Sequence, residues 1–189
     1  MEREPPMKFI DEKLRAPPRS AVRTSAKPVI SAGDCGLLLV RIAFGLLMAG
    51  HGSQKLFGML GGEGLDATGK GFAALGYRPG AVYAAIGGGS EFLGGLGLAL
   101  GLFTPLASAA LIGVMINAMA TVTAAHGLWA TQGGAEYNVC IAVVALAVAA
   151  IGPGRFALDR PFRWGRGGWP EAAFALFAGG IGAAVVLSL

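Results

Sequence analysis

Polarity along the chain changes abruptly near residue 32. Residues 1–32 are polar and interrupted by Pro5, Pro6, Pro17, Pro18 and Pro28, a pattern that excludes a continuous helix and contains no apolar run of the signal-peptide type. They are expected to form a disordered, basic cytoplasmic tail. Five apolar segments follow, at about 36–59, 82–102, 105–125, 137–152 and 171–189, each near the ~20 residues that a helix needs to cross a bilayer. Runs such as LASAALIGVMINAMATV and VCIAVVALAVAAIG do not alternate apolar with polar residues, so the ~10-residue strands of a membrane β-barrel do not fit and helices do. The pattern predicts an all-α integral membrane protein, with a four-helix transmembrane bundle over residues 33–160 and, within 161–189, a cytoplasmic loop and a fifth, C-terminal transmembrane helix. Residues 60–81 are expected to be a loop. Pro170 and Glu171 suit the first turn of the last helix, where a missing N–H costs nothing and a negative charge faces the positive end of the dipole.

Composition sharpens this picture. Only 14% of the 189 residues are charged, against roughly 25% in a soluble domain. Seven of the 15 basic and four of the 11 acidic residues lie in the first 32, so the remaining chain requires an apolar solvent. The 32 glycines interleave with Ala, Leu, Val and Ile, as in closely packed membrane helices. A net charge of +4 could suggest nucleic acid, yet no basic patch is interleaved with aromatics beyond the tail, and nucleic acid is excluded as a partner. The basic residues instead give an orientation. Seven lie in the tail and four, Arg155, Arg160, Arg163 and Arg166, follow the fourth span, whereas 60–81 holds Lys70 and Arg78 and 126–136 holds none. By the positive-inside rule the N-terminus is expected in the cytoplasm and the C-terminus outside, with Trp164 and Trp169 at the inner boundary and Trp129 at the outer one. Cys35 and Cys140 then lie on the order of 20 Å apart in depth, too far for a disulfide, and no CxxC pair occurs.

Ionisable residues inside spans are costly and mark functional candidates. Here they are Arg41, His51, Lys55 and Glu91, with Asn117 as an uncharged companion. Glu91 lies near mid-span. Gly87, Gly88, Gly94 and Gly95 share its helical stripe, and a face without side chains admits a neighbouring helix, which turns Glu91 into the bundle. Asn117 is expected in the same layer. Arg41 and His51 are the expected partners of Glu91 from the first span, with Arg41 holding its charge. Glu91 and His51, an acid and an imidazole of the kinds that exchange protons, are the candidate proton-exchanging residues. Lys55, one turn beyond His51, is expected to snorkel to the outer headgroups or join the polar pocket. His126 and Glu136 bracket the outer loop AHGLWATQGGAEY and are expected as loop contacts around that pocket; their spacing predicts no metal site. Two readings follow: these residues fix helix packing, or they line a polar pocket accessible to a proton or a quinone. The absence of HExxH, GxSxG, GxxxxGK[ST] and a clean GxGxxG leaves hydrolase, NTPase and dinucleotide-binding functions without support.

The ordered segments VRIAFGLLMAGHGSQKLFG, FAALGYRPG, GGGSEFLGGLGLALGLFTPLASAAL, AHGLWATQGGAEYNV and IGPGRFALDR, spanning about 36–160, resemble the DoxX family of small bacterial inner-membrane proteins. The resemblance implies a four-helix core in the bacterial inner membrane. Onto its pattern fall Arg41, His51, Gly52, Lys55, Gly76, Glu91, Gly101, Thr104, Pro105, Glu136, Gly152, Pro153, Gly154 and Asp159. The tail and the fifth span depart from it. Related DoxD-type proteins are subunits of a thiosulfate:quinone oxidoreductase, and DoxX proteins are linked with membrane oxidoreductase complexes in oxidative-stress defence. The resemblance thus implies a membrane subunit of a redox complex, with other subunits of that complex as partners; a second copy of the chain is a separate candidate partner. No flavin, haem or iron–sulfur motif is visible, so a lipid quinone or a partner subunit would carry the electrons. A non-catalytic membrane anchor and a small-solute or proton permease are the alternatives.

Overall fold

The computed structural model describes residues 30–189, and among them there are six α-helices and no strand. The segment expected to be a disordered tail lies, up to residue 29, outside these residues. Helix α1 (Ala32–Phe57) starts at a capping box: the Ser31 hydroxyl accepts from the Asp34 N–H at 3.1 Å, and the Asp34 carboxylate accepts from the Ser31 N–H at 2.9 Å. It ends at Gly58, whose φ of 67° reverses the chain. Helix α2 (Gly64–Ala74) lies in the segment expected to be a loop. Its 11 residues are too few to cross a bilayer, and Gly69 and Gly71 weaken its intrinsic helicity, so packing on α3 decides its conformation.

Helix α3 (Gly80–Leu100) ends at Gly101, and α4 (Thr104–Ala118) begins three residues later with Pro105 in its first turn. α4 runs on through one π-helical turn, Met119–Thr123, and a 3₁₀ turn, Ala124–His126. Helices α5 (Glu136–Ile151) and α6 (Trp169–Ser188) complete the chain. Successive long helices run antiparallel. One end of the bundle, the near end, holds the start of α1 and the α3–α4 and α5–α6 connections. The far end holds α2 and the α4–α5 loop.

Three helical stretches, Ala32–Phe57, Thr104–His126 and Trp169–Ser188, are long and apolar enough to cross a membrane. α3 has the length, but its glycines and Glu91 make it less apolar, and α5 is a shorter apolar helix. The outer surface carries Leu39, Leu93, Phe177 and Ile181, each about two-thirds exposed. Water would not tolerate so much continuous apolar surface, and hydrocarbon covers it without penalty, so the protein is a membrane protein in contact with the bilayer.

With apolar lipid outside, burial of apolar surface drives little helix association, and close backbone contact takes its place. α1 and α3 cross on glycine: a Cβ at Gly45 would meet the Gly95 carbonyl oxygen at 2.6 Å, and one at Gly52 would collide with the Phe92 backbone. α4 and α6 repeat the device, with a Cβ at Gly179 falling 2.7 Å from the Ala109 carbonyl oxygen. The core between them is Met48, Leu98, Leu111, Ile112, Met115, Ile141 and Val148.

Candidate functional site

The polar interior is divided between two levels. At the near end Arg41 is fully buried, and its guanidinium donates from Nε to the Leu98 carbonyl at 3.0 Å, from Nη2 to that of Ala99 at 2.8 Å, and from Nη1 to that of Pro153 at 2.5 Å. The last carbonyls of a helix lack intrahelical partners and carry the negative end of its dipole, so a buried cation is stabilised there. Asp159, also fully buried, treats the start of α4 in the mirror sense. Its carboxylate accepts from the N–H groups of Phe103 at 2.9 Å and Thr104 at 2.6 Å, and from Trp164 Nε1 at 3.0 Å. Gly101 fits between them: a Cβ there would stand 2.6 Å from Arg41 Nη2. Arg41 therefore does not hold the charge of Glu91, correcting that expectation. Glu91 lies seven residues before Leu98, roughly 10 Å away along α3, and Arg41 is committed to three backbone carbonyls.

The second level lies in the far half. A cavity of about 400 Å³ opens between α3, α4 and α6, with Phe72 of α2 and Tyr77 closing its far side. Glu91, its side chain 6% exposed, forms an ion pair with Lys55. Lys55 lies two residues before the end of α1 and reaches inward to a carboxylate instead of outward to headgroups, because the glycines of α3 leave room for its stem: a Cβ at Gly88 would stand 3.2 Å from Lys55 Cβ. Phe72, Tyr77 and Tyr83 make an aromatic wall, with centroid separations of 5.4 Å and 5.0 Å. The Tyr77 hydroxyl donates to Asn117 Oδ1, and Asn117 Nδ2 donates to the Ala183 carbonyl at 3.3 Å. The Thr121 hydroxyl donates to the Asn117 carbonyl at 2.9 Å, inside the π turn that widens α4 at this level. Tyr83 and Ser90 line the cavity with hydroxyls that have no hydrogen-bond partner among the described residues.

Of the residues expected in one pocket, the fold thus brings together Lys55, Glu91 and Asn117. His51 is not among the lining residues; its ring lies edge-on to Tyr137, centroids 5.6 Å apart, on the α1–α5 side. The Tyr137 hydroxyl in turn contacts Met48 Sδ at 3.5 Å. His126 and Glu136 serve the far-end loop, the former with Nδ1 3.0 Å from the Val122 carbonyl oxygen and the latter accepting from the Ala130 N–H at 2.9 Å. Neither lines the cavity. Among the described residues no group of three His, Cys, Asp or Glu side chains could hold a metal ion, and Cys35 and Cys140 are both free thiols. Sequence reasoning missed Tyr77, Tyr83 and Ser90. Tyr83, Gly87, Ser90 and Gly94 do follow the 3.6-residue period, which would have placed both hydroxyls on one face with the glycines.

The rim residues Leu75, Ile86, Leu106 and Val122 are exposed, so the cavity opens onto the surface that hydrocarbon covers. A buried ion pair, with the Tyr83 and Ser90 hydroxyls that have no partner among the described residues, in a cavity otherwise lined largely by apolar side chains suits a molecule with a polar head and an apolar body. The Lys55 ammonium can donate to a carbonyl oxygen, and the Glu91 carboxylate can accept or return a proton.

Residues 36–124, from α1 to the end of α4, match the family model of DoxX. Neither a curated protein nor a solved structure matches the chain.

Proposed function

The chain is a membrane protein of the DoxX family over residues 36–124, and from that premise we propose that it is the membrane subunit of a quinone-linked redox complex, binding a quinone headgroup in the far-half cavity. One observation carries the reading: the Lys55–Glu91 pair lines a largely apolar cavity of about 400 Å³ that opens toward lipid, a size within the usual range for small-molecule sites. In this reading Tyr77 and Tyr83 flank the ring, Lys55 donates to one quinone oxygen, and Glu91 relays protons to it from the far-end surface. Reduction to the quinol consumes two electrons and two protons, and the electrons come from a redox centre on a partner subunit.

We also propose an orientation in the bacterial inner membrane. All five long helices cross, four as the DoxX-like bundle and α6 as an added fifth. Arg155, Arg160, Arg163 and Arg166 support a cytoplasmic near end by the positive-inside rule, which would set the cavity in the outer half and the C-terminus outside.

Titration of the detergent-purified protein with a lipid quinone tests the site. Saturable binding to the wild type, at least tenfold weaker in Glu91→Gln and Lys55→Met, is expected. No saturable binding to the wild type refutes it. The anchor reading is favoured by Arg41, Asp159 and Asn117 being engaged with protein partners; it predicts a stoichiometric partner subunit and no quinone.

A further inference from the structure

The cavity does not end at the ion pair. It shares Ile86, Ser90, Leu106 and Ala110 with a second cavity of about 700 Å³, which continues between α3 and α4 to Leu100 and Phe103 at the near end. Ten residues separate Ser90 from Leu100, a groove of roughly 15 Å running along the helix axes. Its lining has one polar side chain, Ser90, at the junction of the two cavities. Its walls, Leu93, Leu106 and Phe103, are more than half exposed and so face the hydrocarbon. Along its floor a Cβ at Gly89 would meet nothing within 4 Å, whereas one at Gly97 would stand 2.9 Å from Ala107 Cβ, where α4 closes the floor. The space is therefore open beside the polar cavity and sealed beneath, and it extends in the direction of lipid chains.

We propose that the site takes a long-chain amphiphile, the isoprenoid chain of a lipid quinone, entering sideways from the bilayer between Ile86 and Leu106. The head stops at Lys55–Glu91 and the chain lies in the α3–α4 groove, pointing to the near end. This rests on the headgroup reading above for the identity of the head, and on the continuity of the two cavities for the chain. Because surrounding lipid is as apolar as the groove, the chain gains by being held in register with the head and not by leaving water.

Gly89 lines the groove and not the headgroup cavity, so Gly89→Leu fills one and spares the other. Binding of a lipid quinone and of the same headgroup without its chain is measured in detergent for the wild type, Gly89→Leu, Glu91→Gln and the control Gly180→Leu, whose added side chain starts in open space on α6. The ratio of variant to wild-type affinity for each ligand cancels its partition into micelles. Gly89→Leu is expected to weaken the lipid quinone at least tenfold and the chainless headgroup less than twofold, with Glu91→Gln weakening both and Gly180→Leu neither. Equal effects of Gly89→Leu on the two ligands, or none on either, overturn the chain path. If the wild type binds no quinone, the headgroup reading fails, and the groove is read by native mass spectrometry of amphiphiles retained through purification. Loss of a retained amphiphile in Gly89→Leu then upholds the groove, and equal retention by wild type and variant overturns it.

Discussion

Removing the charge of Glu91 distinguishes two wirings of the polar interior. Glu91→Gln keeps the volume and one acceptor but deletes the anion opposite Lys55. Stranding one member of a buried pair costs up to ~3–5 kcal/mol. Lys55 reduces that cost, because its side chain is 30% exposed and lies two residues from the end of α1, so its stem can carry the ammonium to the far-end surface. A loss of ~1–2 kcal/mol is expected for Glu91→Gln, about what an unpaired buried hydrogen-bonding group costs. Lys55→Met strands a carboxylate on the middle of α3, which has no such escape; a larger loss is expected. In the double variant neither charge remains, and a coupling of ~1–3 kcal/mol should appear. Arg41→Gln removes three bonds from a charged donor, each worth ~1.5–3 kcal/mol, yet it should add to Glu91→Gln within ~0.5 kcal/mol, the two sites being roughly 10 Å apart without a shared partner. Equilibrium unfolding in mixed micelles, followed by helical circular dichroism, reads both cycles. Coupling above ~1 kcal/mol between Arg41 and Glu91, with none between Lys55 and Glu91, would refute the pairing described above.

Asp159→Asn keeps one acceptor for the start of α4 but loses the charge facing its dipole, and should lower unfolding stability by ~1–2 kcal/mol; an unchanged midpoint would mean that the cap contributes nothing. Gly52→Ala places a methyl group against the Phe92 backbone and should cost ~1–3 kcal/mol or more as α1 and α3 part. Gly36→Ala, with nothing within 4 Å, should be neutral or raise stability by up to ~1 kcal/mol through helix propensity, and equal losses at Gly36 and Gly52 would contradict the close crossing. A reporter fused to Leu189 should be active only in the outer compartment; cytoplasmic activity would remove α6 as a fifth span and return the chain to a four-span bundle.

Hydropathy is a one-dimensional signal that the bilayer makes strong, so the apolar segments lie where the five long helices lie. What it does not carry is depth-resolved contact. Lys55 and Arg41 are both cations on α1, and which of them meets Glu91 depends on the α1–α3 register, set by Gly45 and Gly52 seating on the α3 backbone. The same register turns His51 to Tyr137. α2 was illegible because a short helix with internal glycines gains its stability from tertiary packing, and without α2 the positions of Phe72 and Tyr77 over the cavity cannot be deduced. Asp159, in contrast, stood in a loop after a GPG turn with no pattern to suggest that it reaches back 55 residues to the start of α4.

The two polar levels change how loss of function is to be interpreted. Arg41 and Asp159 bind the end of α3 and the start of α4, and so fix the hairpin whose two helices also form the proposed groove. Variants at either residue should lose stability together with the proposed quinone binding, and a dead Arg41 or Asp159 variant says nothing about chemistry at those side chains. Tyr83→Phe is the opposite case. It deletes a hydroxyl that has no partner among the described residues while keeping the ring against Tyr77, so its effect on unfolding should stay within ~0.5 kcal/mol. If the cavity binds a quinone oxygen through that hydroxyl, Tyr83→Phe should lower affinity by one hydrogen bond, roughly 0.5–1.5 kcal/mol, or about two- to tenfold. Unchanged binding with unchanged stability would take Tyr83 out of the headgroup site and leave Lys55 and Glu91 to hold the ring without it.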